Sequence, residues 1–186
     1  TINDGTTITT ADNTDTLTLV STDTDSAIGP NLNLYRNAGN GANADNLSTI
    51  AFAGNDDAGN ATDFARITAQ IDDASNGSED VYVHHRTMLA GTERLRMSLL
   101  KAETVFNEES QDLDFRVESN GNANMLFVDG GNNRVGIGDA TDVAATLVVS
   151  DGDAGVTTPD ANGNVFVIEK NDNCGMSILS STDGGG

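Results

Sequence analysis

The chain has 186 residues, with 29 acidic and 9 basic side chains and a net charge of -20. Such an excess of negative charge excludes nucleic acid and anionic membrane surfaces as favoured partners, since the long-range field is repulsive. Leu, Ile, Val and Phe together number only 41. This thin apolar supply gives a chain much to gain from burying surface against copies of itself. Of the acids, 22 are Asp and 7 are Glu. Asp favours turns and caps over helix interiors, so the balance points away from a helical protein.

Residues 1–15 are a Thr-, Asn- and Asp-rich polar segment. A first β module is expected over 16–100. "TLTLVS" (16–21) and "LNLYR" (32–36) alternate with the period of a strand, and "STIAFAG" (48–54) follows a polar loop. "FARITAQID" (64–72) places Ala65, Ile67, Ala69 and Ile71 on one face, with Arg66, Thr68 and Gln70 on the other. "VYVHHRT" (81–87) comes next, and "TERLRMSL" (92–99) sets Leu95, Met97 and Leu99 against Arg94 and Arg96. Residues 99–110 are the one place where a helical turn is tolerable, and a composition shift there marks the boundary of a second module over 101–150.

The second module carries the clearest pattern. In "LDFRVESNGNANMLFVDGGNNRVGIG" (113–138), Leu113, Phe115 and Val117 share a face. "MLFV" is apolar on both faces, and Val135 and Ile137 resume one-sided alternation, with Asn/Gly turns between. Leu113, Phe115, Val117, Leu126, Val128, Val135 and Ile137 are therefore expected to be buried, several of them against other subunits. "ATLVVS" (145–150) is a further strand. Residues 151–186 begin a third module, with "VFVIE" (165–169) and "MSIL" (176–179), whose pattern loosely echoes the second. The expected fold is all-β, built of short strands and frequent turns.

Candidate chemistry is sparse. His84 and His85 are the only histidines. Neighbours on a strand point to opposite faces, so the two cannot chelate one ion within a chain. A metal site would need three copies of His85, which shares a face with Val81 and Val83, to meet on a symmetry axis. The simpler expectation is a solvated or hydrogen-bonded pair and no metal. Asp160, Asn162 and Asn164 alternate as in a calcium loop but lack its glycine turn and closing Glu. "VGIGDA" lacks the third glycine and following helix of a dinucleotide site. Asn46, Asn60 and Asn76 begin glycosylation sequons of the number chance supplies in an Asn-rich chain. Cys174 is alone and reads as a small semi-buried side chain. No nucleophile–base spacing or phosphate loop stands out, so neither a catalytic residue nor a cofactor is expected, and the chain is read as not an enzyme. No apolar run is long enough to span a bilayer. The absence of an initial Met and the abrupt "SSTDGGG" suggest a processed chain or an excerpt.

The phrases "LTLVSTDTDSAIGPNLNLYRN", "ARITAQIDDASNGSED", "GTERLRMSL", "DLDFRVESNGNANMLFVDGGNNRVGIG" and "GMSILSS" resemble the shafts of bacteriophage tail-fibre and related virion-fibre proteins of the marine-phage type. The resemblance implies an elongated homotrimer, with strands side by side or intertwined about a three-fold axis. It further implies an extracellular virion location, other virion proteins as partners, and a role in host attachment that extends to a host-surface glycan. Two other readings accompany it: a bacterial surface adhesin or carbohydrate-binding module, and a segment of a capsule-depolymerase tailspike.

Overall fold

The structure is a computed structural model that describes residues 5–37, 39–138, 145–151, 166–170 and 173. Among them there is no helix, and the expectation of an all-β chain holds. Ten strands form two five-stranded sheets. The first comprises β1 (Asn46–Asn55), β2 (Ala61–Asp73), β3 (Asp80–Leu89), β4 (Thr92–Leu99) and β5 (Thr104–Phe106), in chain order and antiparallel throughout. The second comprises β6 (Phe115–Ser119), β7 (Asn122–Asp129), β8 (Arg134–Gly138), β9 (Leu147–Asp151) and β10 (Phe166–Lys170). Its first three strands are antiparallel, and β8–β9 and β9–β10 are parallel.

Local chemistry explains the reversals. Between β3 and β4 the chain turns in two residues, Ala90 and Gly91, both with positive φ (46° and 77°). A turn of that hand matches the twist of the flanking strands. Elsewhere Asp side chains fold the loops by accepting main-chain N–H groups a few residues ahead. Asp56 Oδ1 accepts from Ala58 and Asn60 (2.9 and 2.8 Å), Asp73 Oδ1 from Ser75 (2.9 Å), and Asp129 Oδ1 from Asn132 (2.9 Å). These carboxyls are held below their ordinary range. The leading cause is the side-chain amide of Asn60 for Asp56 and of Asn132 for Asp129, and the Ser75 main chain for Asp73. The preference for Asp over Glu thus has a structural basis in the turns.

Three expectations need correction. "TLTLVS" (16–21) and "LNLYR" (32–36) are not strands: Leu17, Leu19, Leu32 and Leu34 alternate, yet no ladder among the described residues receives them, and all four are exposed. A strand needs a pairing partner, and alternation alone does not supply one. Residues 99–110 hold no helical turn but a chain reversal and β5. Finally, the alternation in "TERLRMSL" breaks at a β-bulge: Leu95 pairs with Arg86 and Met97 with His85, so these side chains lie on opposite faces. "MSIL" (176–179) falls outside the described residues.

Burial is slight. Among the described residues the buried apolar side chains are Leu95, Ala145 and Val148, the last two packed with Phe127 and Val167. The seven residues expected in a core are half-buried or, for Val117 and Ile137, exposed within the single chain. Accessible surface totals 14080 Å², against roughly 8500 Å² for a compact monomer of this mass. Among the described residues, 5–37 are exposed outside both sheets and neither sheet lies over the other, so each lacks a second sheet on its apolar side.

At the end of β8, Gly138 has φ +96°, and a Cβ there would overlap the Ser150 carbonyl oxygen on β9. Gly121 has φ +108° with open space around it. Gly138→Ala should therefore lower the melting temperature by roughly 5–10 °C. Gly121→Ala, which meets backbone strain alone, should lower it by less, as differential scanning calorimetry of the two variants would show.

Candidate functional site

The feature that sets this structure apart is built from register. Across the first sheet, Ile50, Ile67, His85, Met97 and Phe106 lie opposite one another in one row. Two residues along the strands lies the row Ser48, Ala69, Val83, Leu99 and Thr104, on the same face. The pairs Ile71–Val81 and Phe52–Ala65 extend it at either end. The Phe52–Ala65 row continues through Thr87 to Arg94, so the face is uncharged over its two central rows and carries a cation at that end. Phe52, Phe106, Ile50 and Val81 remain 55%, 49%, 43% and 44% exposed.

The second sheet repeats the arrangement more fully. Phe115, Val128, Val135, Leu147 and Phe166 form one row, and Val117, Leu126, Ile137, Val149 and Ile168 the next. All ten are apolar and share a face. Six of the seven residues expected to form a core (Phe115, Val117, Leu126, Val128, Val135 and Ile137) lie in these rows. The alternation thus assigns their face correctly, although within one chain that face is not buried. Phe106 of β5 and Phe115 of β6 touch, with ring centroids 4.8 Å apart. The apolar face of one sheet therefore meets the apolar face of the other.

The opposite face of the first sheet is largely polar, and most of its charged groups are paired. Arg94 Nε, however, is buried without a hydrogen-bond partner. Arg66 and Arg86 sit directly across from each other, a repulsive placement relieved by two acids. Glu93 accepts both Nε and Nη2 of Arg66 at 2.6 Å, and Glu109, from the loop after β5, lies 3.8 Å from Arg86 and 3.4 Å from Arg94. The Arg66 fork, through its hydrogen bonds first, holds the Glu93 carboxyl below its ordinary range. Tyr82 donates to Asp72, and Lys101 pairs with Asp80. The alternation in β2 places Arg66 on this face, but its acidic partner lies 27 residues on in sequence, beyond any local pattern.

The histidines separate as strand geometry requires. His84 faces the polar side, with Nδ1 3.1 Å from the hydroxyl of fully buried Ser98 and its ring against Tyr82. Burial, and then the charge of Arg86, lowers its pKa. His85 lies on the apolar face between Ile67 and Met97. Among the described residues, no three His, Cys, Asp or Glu side chains converge as a metal site. Asp160, Asn162, Asn164 and Cys174 lie outside the described residues. Asn46, Asn60 and Asn76 are exposed, and the Nδ2 of Asn60 is engaged by Asp56. The chemistry this arrangement offers is adhesion of an uncharged surface.

Because the folded pKa of Glu93 is depressed, its contribution to stability is present above the unfolded value near 4.5 and is lost as pH falls through the lower folded value. Wild type should therefore melt above Glu93→Gln at pH 6, and the gap should close towards pH 3. A gap that persists unchanged at pH 3 would rule out the ion pair as its source.

No protein-family model, no curated protein and no solved structure matches the chain.

Proposed function

We propose that this chain is a structural, non-enzymatic subunit of a virion fibre, a tail fibre or related appendage, that assembles as a homotrimer and serves host attachment. The observation that carries the reading is the pair of single-layer sheets whose strands follow one another in chain order, each with an apolar face left open. Strands that pair in chain order, 8 to 13 residues long in β1–β4 and shorter in most of the second sheet, add length without needing a large core of their own. Their apolar rows then acquire a second layer only from other chains. The acidic turns suit a long rod, since their like charge keeps neighbouring rods apart. The resemblance of residues 16–181 to virion-fibre shafts supports the same reading, with the virion as location and a host-surface glycan as distal target. The work assigned to the chain requires no bond to be made or broken.

In solution the protein should have a mass near three times the single chain's 19.3 kDa by multi-angle light scattering. A stable, folded single chain at micromolar concentration would sink the assembly. Antibodies raised against the chain should decorate the slender appendages of virions under the electron microscope. Decoration of a bacterial envelope instead would favour the surface-adhesin reading.

A further inference from the structure

We infer that the apolar faces of the two sheets, joined through Phe106 and Phe115, form one surface on which further copies of this chain seat, face against face. The inference rests on the fibre reading and adds the surface by which the copies meet. Continuity is the first argument. Phe106 ends the row that begins at Ile50, Phe115 begins the row that ends at Phe166, and the two rings are in contact. Two separate sheets therefore present a single apolar strip.

Size is the second argument. Five strands about 4.8 Å apart, crossed by two rows that each take about 6.6 Å along the strands, give each sheet a face of roughly 24 by 13 Å. With the Ile71–Val81 and Phe52–Ala65 pairs the strip offers roughly 750 Å² in projection. A stable interface buries about 800 Å² per partner. The strip is accordingly close to the size of an interface and larger than the apolar patches of ordinary monomers.

Charge identifies the occupant. Each chain carries a net charge of -20, so approach of a second copy through the acidic turns is opposed. The apolar rows are where two copies meet without facing carboxylates. A symmetric assembly of identical chains needs surfaces that complement one another across a rotation axis, and an uncharged face set against the same face meets that need without matched charges. A basic partner would instead favour the turns. Sheets packed face to face interdigitate their side chains at about 10 Å separation, which would convert the half-buried rows into a core and place His85 inside it.

Neighbouring residues on β1 provide the test. Ile50 lies on the apolar face and Thr49 on the other, and both are exposed in the single chain. With Cys174 replaced by Ser, Ile50→Cys in the assembled protein should react with a maleimide about tenfold more slowly than Thr49→Cys. The double variant Ile50→Asp/Ile137→Asp should run at the single-chain mass while keeping its β-sheet circular dichroism, and Thr49→Asp should assemble like wild type. Equal labelling rates at the two positions in an assembled protein overturn this inference but leave the fibre reading standing. A wild type that is a single chain overturns both. Should the double variant fail to fold, the labelling rates, measured on mild single substitutions, decide the matter.

Discussion

A β-sheet with one apolar face must cover that face, and every other property of this structure follows from how that demand is left unmet within a single chain. The strands of each sheet pair in the order in which they occur, and side chains of alternate residues collect on one side. Among the described residues no second sheet lies over them, and the loop at Gly41 reaches only the end of the first face at Ile71. A sheet of one layer exposes apolar surface that a sandwich or barrel would bury at roughly 25 cal/mol per Å². The small core around Val148, Ala145, Phe127 and Val167 is confined to the other side of the second sheet. The stability of the described fold therefore depends chiefly on ladder hydrogen bonds, on turns and on whatever meets the open faces.

The turns and the back face are shaped by the same constraint. With little core to organise the chain, the reversals are specified locally by Asp carboxylates that bind main-chain amides and by residues that accept positive φ. The charge that folds the loops also keeps like chains apart everywhere except along the uncharged rows. On the back face of the first sheet, arginines placed opposite one another by the register are matched by Glu93 and Glu109. That face is thereby polar and largely paired, and it has less to gain from a partner than the apolar side. The difference between the two faces gives the sheet a direction.

The aromatic contact between Phe106 and Phe115 gives this asymmetry its longer reach. Each residue belongs to a row in a different sheet, and the rings touch where the chain passes from one sheet to the next. Assembly through a strip of this kind would order both sheets together. It would also explain how a chain with so few large apolar residues concentrates them well enough to fold: the same side chains would serve as core for several copies at once.

Much of this was readable from residues alone. Strand periodicity is a property of neighbours two apart, so the sides taken by Ala65, Ile67, Ala69 and Ile71, by Phe115 and Val117, and by Val135 and Ile137 follow from the sequence directly. The separation of His84 from His85 follows in the same way, and the surplus of Asp over Glu already announces turns. What only the tertiary structure decided are matters of pairing between distant residues. The bulge that sends Leu95 and Met97 to opposite faces arises from the register of β4 against β3. The alternation of Leu17 with Leu19 and of Leu32 with Leu34 looks like a strand, yet no ladder among the described residues accepts it. Arg66 meets an acid 27 residues away, and a segment with apparent tolerance for a helical turn carries Phe106 into contact with the second sheet. Alternation tells which side of a strand is apolar; it carries no information about what lies over that side, because burial depends on a surface supplied from elsewhere.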